Sequence, residues 1–316
     1  MKDTQKISDI STKLVVKYGN NKYDLTKFIR IHPGGENILK FKNNKNIDLE
    51  FDNSNHSVAA KNLLKEYRLE AEVKTDEGIE NLVDWNKAIL PQISKLGDNY
   101  EKWVNLPVDR HLRLFENSFL ELGSKTPWYV PILIWIPICI SMIKDDLALL
   151  DKTFDVYAKV FTQLIIGICL WTLAEYVSHR YIYHVDFRRF PKLKTFHFLI
   201  HGIHHKNPFD NLRLVFPTLP SAGIASIIFY FLKFLQKCNF IDYPKLIFVG
   251  FAFGYLCYET THYFIHNSNL RSNYFYKLKR HHLNHHFRQH DKSFGVIILF
   301  WDNVFSTKGL LKRLSY

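Results

Sequence analysis

Cysteine is scarce in this chain: four residues in 316, with no CxxC pair among them. That excludes a disulfide framework and a cysteine-only zinc site. An apolar leader is missing as well; the first 30 residues are polar and charged and do not read as a secretory signal peptide. No internal repeat recurs at a fixed period. Acids are thin toward the C-terminus, where residues 176–316 hold 6 acidic against 19 basic residues. Residues 76–175 run the other way, with 14 acidic and 9 basic, and the whole chain carries +12. An apolar fraction of 47% excludes a disordered chain. What the chain has in excess is histidine: 16 residues, 13 of them between His179 and His290. Imidazole is a common metal ligand, so this clustering is the first functional signal.

A basic segment of this size suits nucleic acid or an anionic membrane surface. Hydrophobic runs favour the membrane, and no nucleic-acid partner is expected. Pro127–Ile143, Val160–Ala174, Leu214–Leu232 and Leu246–Tyr258 are uncharged. Each approaches the roughly 20 residues a helix needs to cross the hydrocarbon core. The predicted spans are about 127–146, 154–174, 214–234 and 246–265, in two pairs. The loops within the pairs are short. Between the pairs lie Arg180, Arg188, Arg189, Lys192, Lys194, Lys206 and Arg213, and after the last span Arg271, Lys277, Lys279 and Arg280. The positive-inside rule then puts both His-rich stretches and both termini on the cytosolic side.

The N-terminal part reads as a small mixed domain over residues 8–72. VVKYGNNKYDL alternates around a Gly-Asn-Asn turn and predicts a hairpin. His32-Pro33-Gly34-Gly35 is expected to close a short helix and present His32 from a tight turn, and His56 follows 24 residues later. Two neutral imidazoles on opposite faces of a haem saturate its iron, giving a carrier of electrons with no site for oxygen. Residues 71–100 read as a polar connector with one short helix, within a joining segment 73–108 that leads to a unit over 109–316. Such a tether holds the donor at an effective concentration of about mM.

Four histidine groups fill the second unit: His179-x4-His184, His201-x2-His204-His205, His262-x3-His266 and His282-x2-His285-His286. Positions i and i+3 or i+4 share a helix face, so each triplet can converge, whereas the five-residue step from His179 to His184 needs a bend or a helix end. Ten imidazoles exceed one ion's capacity and suit two ions of about five ligands each, with open positions. Their partition between the ions is open. His281 is ambiguous; His111, His197 and His290 are read as non-ligands. Zinc is redox-inert, while imidazole also suits iron, so ligand type alone does not fix the metal.

The segments YDLTKFIRIHPGGENIL and FDNSNHSVAAKNLLKEYRL resemble cytochrome b5. By that resemblance His32 and His56 are the axial ligands of haem b, and Glu36, Asp48, Glu50 and Asp52 lie near its edge, where they could dock a reductase. The strings EYVSHRYIYH, FHFLIHGIHHKNPFDNLRLVFPT, ETTHYFIHN and KRHHLNHHF resemble the membrane fatty acid hydroxylase superfamily, whose members are His-rich di-iron enzymes. Fusion to a haem domain resembles the 2-hydroxylase branch and covers nearly the whole chain. One departure is Glu259, after Tyr258, where the family can carry aspartate.

The resemblance implies a small α+β cytochrome b5-like haem domain followed by an all-α integral membrane domain with about four transmembrane helices and a cytosolic His-rich cap. It also implies two irons, with zinc as the ion a purified form can contain, and a di-metal monooxygenase acting at C2 of long acyl chains, as fatty acid or ceramide. O2 and NADH-cytochrome b5 reductase are the implied partners, and the endoplasmic reticulum membrane the implied location. Tyr258 and Glu259, just before His262, are candidates for contacting the carbonyl or headgroup. Rival readings are a sterol or sphingoid-base hydroxylase, a non-catalytic haem and metal carrier, and a transporter; against the last, the ionisable residues cluster at one face rather than along a pore.

Overall fold

The computed structural model describes residues 13–69, 78–148, 153–185, 190–270 and 272–310. Arg188, Arg189 and Arg271, the first residues of the connector and both chain ends lie outside the described residues.

The N-terminal unit is built on an antiparallel hairpin, β1 (Val15–Tyr18) and β2 (Asn21–Asp24), turning at Gly19 with φ +56°. Alternation puts Val16 and Tyr23 inside, against Leu14, Leu25, Leu39, Ile47 and Leu64. Three short helices follow: α1 (Glu36–Lys40), α2 (Asp48–Asn53) and α3 (Val58–Lys65), the last capped by Ser57, whose hydroxyl accepts from the Ala60 N–H. The HPGG string precedes a helix rather than closing one. Residues 26–31 form turns, and Gly35, at φ 90°, stands immediately before α1. Only glycine adopts that conformation without strain.

Residues 78–108 are not a loose polar tether. Two 3₁₀ segments, Ile79–Leu82 and Leu90–Asn99, and α4 (Tyr100–Val104) bury Ile89, Ile93, Leu96, Tyr100 and Trp103 against Leu112, Leu114, Phe198 and Ile203. Their apolar side chains recur at helical spacing and cover the His-bearing segment, so the strip belongs to the second unit's core.

That unit is helical. It continues with α5 (Ser118–Gly123), α6 (Val130–Ala148) and α7 (Phe154–Val177), then short helices α8 (Lys194–His197) and α9 (Ile203–Lys206). It closes with α10 (Thr218–Lys237), α11 (Pro244–Asn267), α12 (Asn273–Phe287) and α13 (Phe300–Val304). Helix α11 is central and packs on α6, α7 and α10. It meets α7 so closely that a Cβ on Gly167 would stand 2.1 Å from the Ile247 carbonyl oxygen, and one on Gly250 2.1 Å from that of Leu164. Small residues allow such backbone approach between apolar helices. Among the described residues two helical stretches, Phe154–Tyr183 and Thr218–Lys237, are long and apolar enough to cross a membrane, and Val130–Lys144 is a shorter apolar helix. Their outward faces expose Ile134, Ile138, Phe161, Ile165, Ile227 and Phe231. Exposed apolar faces of that kind suit contact with lipid or with a protein partner.

The haem-type unit rests on the helical one. Ala59 and Leu63 of α3 pack with Leu283 and Phe287 of α12. Around this apolar centre, Tyr67 OH donates to Asp109 at 2.8 Å, Arg288 donates to the Asn55 carbonyl at 2.9 Å, and Arg110 grips Glu66 with both arms of its guanidinium.

Candidate metal centres

His32 and His56 face each other with ring centroids 6.4 Å apart. Each donates its Nδ1–H to a nearby carbonyl, His32 to Gly35 at 3.2 Å and His56 to Phe51 at 2.8 Å. The bonds fix the tautomer and leave each Nε2 as a lone-pair donor. Desolvation, opposed by the Gly35 carbonyl, holds His32 down at about 4, so its ring is neutral at physiological pH. A ring separation near 6 Å leaves room for one iron bonded to a nitrogen about 2 Å away on each side. Gly34 is needed here, because a Cβ would stand 2.9 Å from the His32 ring. These residues fit a bis-histidine haem. Of the acids near this cleft, Glu50 pairs with Lys42, Asp52 accepts from Tyr18 OH, and Asp48 accepts from the Gly19 N–H.

Ten histidines converge in the second unit, in two groups of five. His179, His184, His201, His205 and His285 form one; His204, His262, His266, His282 and His286 form the other. The elements explain the partition. Residues Ser178–Tyr183 form a π-helical turn, whose i to i+5 bonding sets His179 and His184 on one face despite their five-residue step. A second such turn, Phe198–Gly202, carries His201 into α9. The triplets do not converge as triplets. In each, an i, i+4 pair (His201 and His205, His282 and His286) serves one group, while His204 or His285 goes to the other. Consecutive helical residues point about 100° apart, so neighbours address different centres.

The donor geometry suits cations. His282 Nε2 lies 3.0 Å from His262 Nε2, 2.9 Å from His266 Nε2 and 3.0 Å from His286 Nε2. A ring nitrogen carries one hydrogen or one lone pair, so at most one of these contacts can be a hydrogen bond. In the other group His201 Nε2 meets His184 Nε2 at 3.2 Å and His205 Nε2 at 3.0 Å, and the buried Nε2 atoms of His179 and His285 have no hydrogen-bond partner. Donors at right angles around an ion about 2.1 Å away are about 3.0 Å apart, while tetrahedral donors are about 3.4 Å apart. The residues fit two ions, each offered five imidazoles. Desolvation, reinforced by neighbouring imidazoles, pushes His201, His204, His205, His282 and His286 well below the ordinary histidine range and keeps their lone pairs available.

Backbone carbonyls orient several rings from behind. His179 donates Nδ1–H to Phe294 O at 2.6 Å, His285 to Lys292 O at 2.8 Å and His262 to Leu214 O at 3.3 Å. His281 points away and meets Asp302 at 2.9 Å. His197 lies against Tyr100 OH at 2.5 Å, and His111 is exposed. Tyr258 stacks on His262 with centroids 5.5 Å apart. Both carboxylate oxygens of Glu259 accept from the Phe216 N–H, at 3.2 and 3.1 Å, which ties α11 to the start of α10.

Sequence reasoning missed two acids. Asp302 is fully buried and accepts from the N–H groups of Phe294 and Gly295 and from Thr307 OH, fixing the loop whose Phe294 carbonyl holds His179. Glu175 accepts from the Val296 N–H at 2.6 Å on the same loop. Their signal was available: Asp302 sits alone in apolar FWDNVF, and Glu175 precedes His179 by one helical turn.

A haem-binding module joined to an apolar helical unit with a ten-histidine pocket defines a membrane-bound oxidoreductase. Residues 164–307 match the family described as fatty acid hydroxylase, and residues 7–70 match the cytochrome b5-like heme/steroid binding domain. A curated relative, fatty acid 2-hydroxylase of Rattus norvegicus, is 34% identical, over 92% of this chain and 90% of its own length. Dihydroceramide fatty acyl 2-hydroxylase of Arabidopsis thaliana is 36% identical, over 71% and 92%. A solved structure described as full-length scs7p, with only its hydroxylase domain visible, superposes with a TM-score of 0.66 at 28% identity, covering 80% of this chain and 93% of that one. The chain belongs to the fatty acid hydroxylase family, in the form that carries a cytochrome b5-like domain at its N-terminus.

Proposed function

We propose that this protein is a fatty acid 2-hydroxylase that inserts one atom of O2 at C2 of long or very long acyl chains, as fatty acids destined for ceramide or within ceramide itself. The observation that carries the reading is the pocket: ten converging imidazoles in two groups of five, joined to a haem module. Relatives named for 2-hydroxylation of fatty acids, dihydroceramide and ceramide support the substrate class.

The residues holding the two ions are His179, His184, His201, His205 and His285 for one, and His204, His262, His266, His282 and His286 for the other. His32 and His56 hold haem b. The ions are iron in the active protein, since breaking an unactivated C–H bond needs a redox metal; zinc would occupy the same imidazoles and be inert. When bound, the pair supplies oxygen activation at its open positions. The side chains do the rest. Buried imidazoles keep their lone pairs free, Asp302 and the backbone carbonyls hold the rings in place, and Tyr258 and Glu259, just before His262, are the candidates for contacting the acyl carbonyl. The electrons come from NADH through a cytochrome b5 reductase that docks on the acidic edge of the haem module.

The haem domain takes residues 8–72, the joining segment 73–108, whose described part packs into the core of the helical unit, and the hydroxylase unit 109–316. Four spans, over about 127–146, 154–174, 214–234 and 246–265, anchor the protein in the endoplasmic reticulum membrane, with both termini and the metal pocket on the cytosolic side. That side carries Lys192, Lys194 and Lys206, in keeping with the positive-inside rule. A pocket at the membrane surface reaches C2 of an acyl chain and not its buried end.

Lipid mass spectrometry tests the function. Expressed in cells lacking 2-hydroxylated sphingolipids, the intact chain is expected to produce 2-hydroxy acyl ceramides, and the His204→Ala, His205→Ala variant is not. Absence of product from the intact chain at matched expression overturns the assignment.

A further inference from the structure

The geometry points to Phe28, Phe209 and Phe287 as the packed aromatic path by which the haem module delivers electrons to the metal pocket of the same chain. This rests on the proposed hydroxylase function and goes beyond it by naming the route. The rings form an unbroken series. His32 lies 5.8 Å from Phe28, Phe28 lies 6.1 Å from Phe209, Phe209 lies 6.5 Å from Phe287, and Phe287 lies 6.3 Å from His286, all centroid to centroid. His286 in turn stacks at 4.3 Å on His205, which belongs to the other group of five. The series therefore begins at a haem ligand and ends where the two histidine groups touch.

Helix α12 makes the connection by simple periodicity. Its successive residues point about 100° apart, so His286 faces the pocket while Phe287 faces α3 of the haem module. One peptide unit spans the boundary. The interface around Phe287 has an apolar centre of Ala59, Leu63 and Leu283 and a rim of pinned polar pairs, Glu66 with Arg110, Tyr67 with Asp109 and Asn55 with Arg288. An apolar centre within a polar rim is the form of a specific docking surface. Close packing leaves few voids, and electronic coupling falls more steeply across a gap than through touching atoms.

Each transfer oxidises ferrous haem to ferric and reduces the metal pair by one electron. Two transfers, two protons and one O2 give one new hydroxyl group and one water, and an NADH-dependent reductase re-reduces the haem each time.

The test uses the full-length holoprotein in lipid nanodiscs. Its haem is reduced through the reductase and then mixed with O2 and ceramide, and reoxidation is followed at the haem absorption band, with the His282→Ala chain giving the background. Phe287→Leu and Phe209→Leu are expected to leave haem content, spectrum and reduction by the reductase unchanged and to slow reoxidation by about tenfold or more, while Phe287→Tyr retains the rate. Glu66→Arg is expected to slow it as well, and adding Arg110→Glu to restore it, since swapping the charges rebuilds the same contact. Wild-type reoxidation rates in both leucine variants overturn the path. A rate proportional to protein concentration also overturns it, because transfer would then run between copies. Failure of the hydroxylase assignment looks different: reoxidation depends on Phe287, yet no 2-hydroxy product accompanies it.

Discussion

The haem module and the histidine pocket hold metals by opposite strategies. In the first, two histidines come from two turns, and each ring is fixed by a carbonyl within five residues of it, Gly35 for His32 and Phe51 for His56. In the second, ten histidines come from four stretches of chain, and two of the three carbonyls that fix them are remote: Phe294 for His179, 115 residues away, and Leu214 for His262, 48 residues away, against Lys292 for His285, seven residues away. A local site forms wherever its short segment folds. A distributed site forms only after the whole helical unit has packed, because desolvating ten imidazoles is unfavourable until cations pair with them. The first arrangement is therefore portable as a module, and the second is inseparable from its fold.

The largest effect that would sharpen this contrast is expected from His282→Ala. His282 touches three other ligand nitrogens, more than any other ring described. Its loss should lower metal content per chain by elemental analysis and reduce hydroxylated product by about 100-fold or more, with the haem absorption unchanged. Loss of haem together with metal would show that the two sites are not independent. The converse, His32→Ala, should abolish haem binding and NADH-driven turnover while metal content stays at the wild-type level. A metal-depleted His32→Ala chain would break the comparison from the other side.

Legibility followed the same divide. The hairpin, the HPGG turn and the two helices flanking His56 are short-range features, and periodicity with glycine placement locates them. The four histidine stretches were visible as types and spacings, and ten donors pointed to two groups. Their partition was not visible, because it depends on two π-helical turns at Ser178–Tyr183 and Phe198–Gly202 that no residue preference announces. The strip 78–108 was misread as polar because its apolar residues are interleaved with charges, and only the partner surface of Phe198 and Ile203 shows that they are buried. Asp302 escaped notice for a related reason: a single acid in an apolar run acquires meaning only when the loop it organises is seen to carry a histidine's anchor.

Asp302 supplies the next smaller effect. It does not touch a metal-facing nitrogen; it positions the loop whose Phe294 carbonyl holds His179, and it pairs with His281. Asp302→Asn keeps the size of the side chain but gives up charge and acceptors. Outer residues of this kind are worth about 10- to 100-fold in metal affinity. Competition with a chelator is expected to show a loss of that size for metal, with haem affinity unchanged. No comparable variant exists for the haem module, where the anchors are main-chain carbonyls. Unaltered chelator resistance in Asp302→Asn would mean that the loop is held by Glu175 and its own packing alone.

The smallest effect concerns how the helical unit is tied together before its first apolar helix. Burial pushes the Glu121 carboxyl up, but Lys125, the N–H groups of Phe115 and Leu114, and Arg213 outweigh it and hold the group at about 2 instead of 4.5. Arg213 Nη2 stands 2.5 Å from Glu121 Oε1, so the contact joins α5 to the segment that leads into α10. A carboxyl lowered in the folded protein stabilises it fully above its unfolded value; that contribution is lost as pH falls from about 4.5 toward 2. The part owed to Lys125 is screened by solvent, so the contribution is roughly 1 kcal/mol, or about 2–4 °C in Tm for a unit of this size. Glu121→Gln should lower Tm by that amount at pH 7, and the gap to wild type should close as pH falls through this window. At pH 7 the His32–His56 module, which folds without this contact, should keep its haem absorption in both proteins. A gap that stays constant with pH would assign Glu121 a packing role in place of an electrostatic one.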